Sequence, residues 1–112
     1  MPYDAALAER IRDALAGAPG LVEKKMFGGI GWTIGGHMAA GAHNDGRLMV
    51  RCSKDDFPAF TAEPGAQAMV QAGRTMTGWL LIDAGSVTDD AALARWVGRG
   101  RAYAASLPPK AG

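Results

Sequence analysis

Residues 21–52 decide the fold, and they read LVEKKMFGGIGWTIGGHMAAGAHNDGRLMVRC. Three glycine-containing clusters interrupt this stretch, at Gly28-Gly29, Gly35-Gly36 and Asn44-Asp45-Gly46. A two-residue hairpin turn of type I′ needs positive φ at both central residues, and glycine adopts this at no steric cost. Strands joined by such tight turns pair antiparallel. The stretch is therefore predicted to be a meander of four strands, Leu21–Phe27, Ile30–Ile34, His37–Ala42 and Arg47–Cys52.

The last of these strands indicates which side of the sheet is buried. Its sequence alternates Leu48, Val50 and Cys52 with Arg47, Met49 and Arg51. Successive side chains of a strand point to opposite faces, so the two sets lie on opposite faces of the sheet. The pattern predicts a half-buried strand whose Leu48 face is turned toward the core.

Helical patterns lie on both sides of the meander. Apolar residues recur at four-residue steps from Leu7 to Leu15, which predicts an amphipathic helix from about Ala5 to Ala16 with Asp4 as its N-cap. After the meander, Ser53 is placed to cap a short helix near Lys54–Glu63. A proline inside that segment favours one turn or a bent helix.

The rest of the chain, after the short helix, is predicted to contain a further strand and a last helix. The segment Ala66–Gln71 is ambiguous, and Trp79–Asp83 is predicted to be a strand because glycines bound it. Thr88 is expected to cap a last helix that ends before Pro108-Pro109. The tail, about residues 108–112, is expected to be mobile.

This order of elements predicts a two-layer α+β fold, in which an antiparallel meander sheet is flanked by N- and C-terminal helices. The chain has 112 residues with no internal repeat or linker, so residues 1–112 are predicted to form a single domain. Hydrophobic residues make up 48% and charged residues 21%, close to globular averages.

Charge and cysteine content bear on partners and location. The formal net charge is +1, which counts against a dedicated nucleic-acid-binding domain, since these show a clear basic excess. The single cysteine, Cys52, cannot form an internal disulfide. The N-terminus lacks the apolar region of a signal peptide, and no apolar run is long enough to span a membrane. We therefore expect a soluble, cytoplasmic protein.

No set of residues forms a recognisable catalytic, cofactor or metal motif. His37, His43 and Cys52 are scattered, whereas a structural zinc site needs four ligands at close paired spacing. Cys52 is expected to act as a small buried hydrophobic residue rather than a nucleophile. The serines lack the sequence context of a nucleophile. We therefore expect no catalytic residue, no cofactor and no metal, and we predict that the protein is not an enzyme.

Four segments resemble the TfoX N-terminal domain family. They are Tyr3-Asp4 with 7–12 (LAERIR), 22–30 (VEKKMFGGI), 36–41 (GHMAAG) with 48–51 (LMVR), and Pro64-Gly65-Ala66 with 73–79 (GRTMTGW). The resemblance implies a fold similar to that of bacterial secretion chaperones. It also implies a link to TfoX/Sxy competence regulators, which help a cyclic-AMP receptor protein activate certain promoters. Full-length regulators carry a second, helical domain, and we expect this chain to be a stand-alone N-terminal domain.

A candidate interaction surface can be assembled from the basic residues and one tryptophan: Lys24, Lys25, Arg47, Arg51, Arg74, Trp79, Arg95 and Arg99. Lys24 and Lys25 precede a glycine turn, which is compatible with an anion nest, but a strand ending in a turn is favoured because alternation separates the two lysines. Arg47 and Arg51 share a strand face that suits a phosphate or carboxylate, or they are solvated surface residues.

The other candidates have alternatives of their own. Arg74 either binds a partner from its loop or braces that loop through a carboxylate. Trp79 either stacks on a partner or starts a buried strand as a core residue, and the core interpretation is favoured. Arg95 and Arg99 share a helix face, so they are either a basic patch or cations placed near a helix C-terminus.

We therefore expect a non-enzymatic protein-interaction module that contacts a transcription factor or RNA polymerase. It is predicted to be a homodimer, since small domains gain from burying a sheet edge. The first alternative is direct nucleic-acid binding through Lys24, Arg51, Arg95 and Arg99, with an affinity that falls steeply with salt. The second is a small-molecule-binding domain with a concave pocket.

Overall fold

The computed structural model describes residues 3–26 and 28–110, so Phe27 and residues 111–112 of the expected tail lie outside the described residues. The elements are α1 (Ala5–Leu15), β1 (Leu21–Met26), β2 (Gly29–Ile34), β3 (His37–Ala42), β4 (Leu48–Arg51), α2 (Phe57–Thr61), β5 (Ala66–Gln71), β6 (Arg74–Ile82) and α3 (Asp90–Ser106). A 3₁₀ turn, Ala84–Ser86, connects β6 to α3. The predicted α+β class is confirmed.

All six strands belong to one sheet in the order β1-β2-β3-β4-β6-β5, and every neighbouring pair is antiparallel. The first four strands are adjacent in space as they are in sequence, which confirms the predicted meander. Gly35 and Gly36 both have positive φ in the β2–β3 turn, as the two-residue hairpin requires.

Several element boundaries differ from the sequence-based predictions. The ambiguous segment Ala66–Gln71 is a strand, and its partner β6 begins at Arg74 rather than Trp79. These two strands form a hairpin that extends past the end of β4. Its residues are mostly exposed or half-buried, so the sequence there lacks the clear apolar–polar alternation that would predict a strand. Arg47 lies just outside β4, which begins at Leu48.

Helix capping also differs in two places. Asp4 caps α1 as predicted, and its carboxylate accepts hydrogen bonds from the backbone N–H groups of Ala6 and Leu7. The prediction that Thr88 caps the last helix is wrong, because Asp89 is the N-cap and accepts from the Ala92 N–H. Ser53 does not cap α2 directly, since α2 begins four residues later; its hydroxyl accepts from the Asp56 N–H in the preceding turn. No helix in residues 3–26 or 28–110 combines the length and apolar character needed to cross a membrane.

The helices lie against one face of the sheet and bury the main core there. Leu48, Val50 and Cys52 all point into this core, as the alternation predicted. Trp32 and Trp96 are also fully buried in it, which confirms their assignment as core residues. A fully buried aliphatic side chain contributes about 1.5–3 kcal/mol, so this one-sided core supplies most of the stabilisation of the domain.

A close approach between α3 and β3 sets the distance between the two layers. The backbone of Gly100 lies directly against the Ala39 carbonyl group, and a Cβ at Gly100 would overlap that oxygen. Ala39 is completely buried beneath the helix. Gly98, two residues earlier, has open space around its Cβ position. Both glycines weaken the helix locally, but only Gly100 is required by packing.

The described part of the C-terminal tail folds back onto the β2–β3 turn. The Lys110 N–H donates to the Gly35 carbonyl over 2.8 Å, and the His37 Nε2 lies 2.7 Å from the Pro108 carbonyl oxygen. The expected mobility of the tail stays a prediction, and residues 108–110 have these contacts to hold them.

The Gly100→Ala substitution is expected to lower the free energy of unfolding by about 1–3 kcal/mol, because the added methyl group has to displace the β3 backbone. The Gly98→Ala substitution in the same helix is the control. It is expected to raise the free energy of unfolding by about 0.5–1 kcal/mol, because alanine loses less backbone entropy and meets no neighbour. Urea denaturation measures both values, and equal effects would contradict the close helix–sheet contact.

Candidate interaction surface

Strand alternation separates the helix-covered side of the sheet from a second side, here called the uncovered face. Its central feature is an apolar cluster contributed entirely by strands: Met26, Met38, Met49, Met69, Trp79 and Leu81. Met38, Met49 and Leu81 are buried, whereas Met26, Met69 and Trp79 stay half-buried. The assignment of Trp79 to the core is therefore wrong. It pairs with Arg51 on the uncovered face, whereas its neighbour Leu80 enters the core.

Two glycines make room for the methionines. A Cβ on Gly31 would lie 2.7 Å from the Met38 Cε, and one on Gly41 would lie 2.8 Å from the Met49 Cε. Both distances are too short for real carbon contacts, so the methionine side chains rest on bare strand backbone. Methionine is flexible and polarizable, and it adapts to irregular apolar partners.

A groove of about 330 Å³ opens at one end of this face. It is lined by Met26, Gly29, Ile30, Ala42, His43, Asn44, Met49 and Gln71. Gln71 reaches the groove because the β5–β6 hairpin extends past β4 and bends at Gly78, where three residues of β6 have no partner on β5. The groove therefore lies between the β1–β2 end of the sheet and the hairpin tip.

All charged strand residues on the uncovered face are cationic. Lys24 lies two residues from Met26 on β1 and shares its face. Arg51 is the cross-strand partner of Trp79, and Arg74 is the partner of Gln71, which shares the face of Met69. Lys24 and Arg74 are exposed.

Among the strands in the described part of the chain, Glu23 is the one acidic residue, and it points to the helix side. It accepts hydrogen bonds from the Trp32 indole N–H over 3.0 Å and from two N–H groups of Arg12. The hydrogen bond from Arg12 is the main reason that the pKa of Glu23 is lowered. The buried tryptophan thereby obtains the polar partner it needs.

Arg51 is held by two aromatic rings. Its guanidinium carbon lies 4.3 Å from the centre of the Trp79 ring and 5.2 Å from that of the Tyr103 ring, and Nη2 donates to the Tyr103 hydroxyl over 3.4 Å. Stacking of this kind contributes about 0.5–2 kcal/mol. The Arg51 Nε is buried with no acceptor among the described residues. The guanidinium therefore joins the uncovered face to α3 and covers one side of Trp79.

Arg47 belongs to a separate ion-paired turn. Its Nη2 and Nε lie 2.6 and 2.9 Å from the Asp45 Oδ2, and the His43 Nδ1 lies 2.9 Å from Oδ1. Burial of Asp45 favours its neutral form, but the side-chain and backbone hydrogen bonds from Arg47, together with the close contact to His43, outweigh this and hold its pKa far below the usual range. Arg47 and Arg51 therefore do not form one anion clamp, because Arg47 lies outside the strand and is already paired.

Arg95 and Arg99 of α3 are both engaged with Glu63, at 2.6 and 2.8 Å. The Arg99 guanidinium also lies over the rings of Phe60 and Trp96, at 4.2 and 4.6 Å from their centres. This pair anchors the segment after α2 to α3. The geometry disfavours both alternatives for these arginines: each is paired with Glu63, and both lie in the middle of α3, whose last turn holds no basic residue.

The structure thus brings Lys24, Arg51, Arg74 and Trp79 together on one face and leaves the other four candidates elsewhere. Lys25 points to the helix side of β1, opposite to Lys24, as alternation predicted. Sequence reasoning missed the methionine cluster. Its signal was available, since six of the 112 residues are methionine and Met49 already alternated with the core-facing residues of its strand.

The histidines and the cysteine lie in three different places. His37 contacts the C-terminal tail, His43 contacts Asp45, and Cys52 is buried in the core, where burial raises the pKa of its thiol. In residues 3–26 and 28–110, no three His, Cys, Asp or Glu side chains form a group that could hold a metal ion.

Comparison with known proteins places the chain beside one family. The family model of the TfoX N-terminal domain matches residues 13–105, a span that contains all six strands and all eight candidate residues. No curated protein and no solved structure matches the chain.

The Glu63→Gln substitution is expected to lower the free energy of unfolding by about 1 kcal/mol at pH 7. Burial of Glu63 raises its pKa, but the hydrogen bond from Arg95 and the ion pair with Arg99 lower it by more, so the folded-state pKa lies below 4.5. The contribution is therefore complete above pH 4.5 and disappears as the pH falls through the lowered folded-state value. Urea denaturation of both proteins across this pH range measures the difference.

The control for this prediction is Glu9→Gln, which removes a more exposed partner of an arginine, Arg12. Glu9 is 72% exposed, against 27% for Glu63, so its loss is expected to change the free energy of unfolding only slightly. If the difference in the free energy of unfolding between wild type and Glu63→Gln stays constant down to strongly acid pH, the ion-pair explanation is contradicted.

Proposed function

The chain belongs to the TfoX N-terminal domain family, and from this premise we propose that it is a non-enzymatic interaction module that binds a protein of the transcription machinery. The observation that carries the proposal is the uncovered face, where a methionine-rich cluster and a groove are accompanied by cations and by no strand acid. The partner contact is assigned to this face.

The chemistry of the face defines a complementary partner segment. Methionine side chains and an apolar groove suit the apolar side of a helix or an extended segment. Lys24 lies two residues before the groove residue Met26 on β1, and Arg74 is the strand partner of the groove residue Gln71, so both suit carboxylates next to the apolar residues of the partner. Long-range attraction between such charges also speeds the encounter. The partner segment is therefore amphipathic and acidic.

The family resemblance supports a transcription factor or RNA polymerase as the class of partner. TfoX/Sxy regulators act with a cyclic-AMP receptor protein at promoters, and a module that presents one adaptable face fits an adaptor role. The local chemistry supports the non-enzymatic part of the proposal, since Glu63, Asp45 and Glu23 are each committed to arginine partners that hold the fold together.

Nucleic-acid binding is the first alternative. Of its four proposed contacts, Arg95 and Arg99 are paired with Glu63, and Arg51 covers one side of the ring on which a base would stack. A net charge of +1 also gives little long-range attraction for phosphates. A small ligand in the groove is the second alternative, since about 330 Å³ lies at the low end of ligand-pocket volumes.

The Lys24→Glu/Arg74→Glu double variant is expected to weaken partner binding at least about tenfold, because it places like charges against the acidic partner segment. The tagged domain is incubated with extract of its own source organism, in nuclease-treated and untreated halves. A captured protein is then purified, and its affinity for wild type and variant is measured directly. RNA polymerase from the same organism is tested in parallel.

The matched control is Lys25→Glu/Lys54→Glu, which makes the same change in charge away from the uncovered face. It is expected to bind like the wild type. If the control loses affinity as strongly as the Lys24→Glu/Arg74→Glu variant, the contact is not on the uncovered face. If material is captured only without nuclease and its affinity falls steeply with salt, the nucleic-acid alternative is correct and the proposal is wrong.

A further inference from the structure

The two edges of the sheet differ in chemistry. At one edge, β1 reads LVEKKM and carries three consecutive charges, a common protection against unwanted strand pairing. At the other edge, β5 reads AQAMVQ and has no charge. The uncharged stretch around it extends over ten residues, 64–73. Val70 of β5 is 63% exposed. The β5 edge therefore lacks the protection that the β1 edge has.

Hydrogen-bond geometry shows which backbone groups this edge presents. The Asp83 N–H donates to the Gly65 carbonyl, so Gly65 faces β6 and the alternate residues Ala66 and Ala68 face outward. At the other end, Ala72 and Gly73 both have positive φ and form a two-residue hairpin turn, so Gln71 faces β6 and Val70 faces outward.

The outward row on β5 is regular because the irregularity of the hairpin lies on β6. Between the pairs Ala68–Leu80 and Met69–Met76, the three additional residues all belong to β6. The Ala66 N–H is satisfied by the Glu63 carbonyl within the same chain. The N–H and C=O groups of Ala68 and Val70 point into solvent and are placed for an additional strand.

We propose that a second copy of this chain pairs along β5, so that two antiparallel β5 strands join the two sheets into one of twelve strands around a two-fold axis. A two-fold contact uses the same patch on both copies, so the patch has to be compatible with itself. The β5 edge meets this requirement because it is uncharged, whereas β1 would set its lysines against those of the partner copy. Pairing also covers the exposed Val70.

This proposal is independent of the proposed function, since it uses the edge of the sheet and not the cationic residues of the uncovered face. In an antiparallel pair centred near Met69, the two Val70 residues lie about two positions apart across the two strands, a diagonal of about 7–8 Å. Long side chains reach across such a distance. Charges placed at residue 70 of both copies therefore interact directly.

The Val70→Lys substitution is expected to raise the dimer dissociation constant at least about tenfold, because two lysines meet at the new strand pair. The control is Val22→Lys on β1, the other exposed valine, which is 49% exposed. It is expected to leave the dissociation constant unchanged. Sedimentation equilibrium of the full chain over a range of concentrations measures the mass, and circular dichroism checks that each variant is folded.

A charge-swap experiment tests the pairing itself. At a concentration where the wild type is a dimer, the Val70→Lys and Val70→Glu variants are each expected to be mainly monomeric, and an equimolar mixture is expected to form a heterodimer of twice the chain mass. In the wild-type dimer, the amides of Ala68 and Val70 are expected to exchange with solvent more slowly as the concentration rises. A wild type that stays monomeric up to about 1 mM, a Val70→Lys variant with the wild-type dissociation constant, or equal losses at both edges would overturn the proposal.

Discussion

The helices of this chain can cover one face of its six-stranded sheet, and this constraint shapes the rest of the molecule. α1 and α3 lie on the same side, and Gly100 lets the α3 backbone rest against β3 at Ala39. The large buried side chains, Trp32 and Trp96 among them, are consequently concentrated in one layer. The opposite face receives no helix and has to be made compatible with water by strand residues alone.

The uncovered face meets this requirement with flexible methionine side chains and with the long, charged side chains of lysine and arginine. Methionines lie flat over Gly31 and Gly41, which lowers the apolar area that faces water without building a second core. Arg51 covers Trp79 with its guanidinium group, so a large aromatic surface is partly shielded by a charged one. Such a surface is stable in water, and it can repack around a partner because methionine changes conformation easily.

Charge is distributed unequally between the two sides. On the helix side, carboxylates and arginines are paired with one another, as Arg12 is with Glu23 and Arg99 is with Glu63. These pairs tie neighbouring elements together and satisfy polar groups near the core. On the uncovered face the strands supply cations without a matching acid. A chain of nearly neutral total charge thereby presents one side on which the charges of the described strands are all positive.

The sequence by itself determined the fold class, the four-strand meander, the inward side of β4 and the N-cap at Asp4, because these follow from local periodicity and turn chemistry. It also determined that Lys24 and Lys25 point in opposite directions, since alternation along a strand is a local property. Only the tertiary structure decided which cations remain available, because pairing of Arg95 and Arg99 with Glu63 joins residues more than thirty positions apart. The same reason applies to Trp79 and to the methionine cluster, whose members come from different strands and meet only when the sheet has formed.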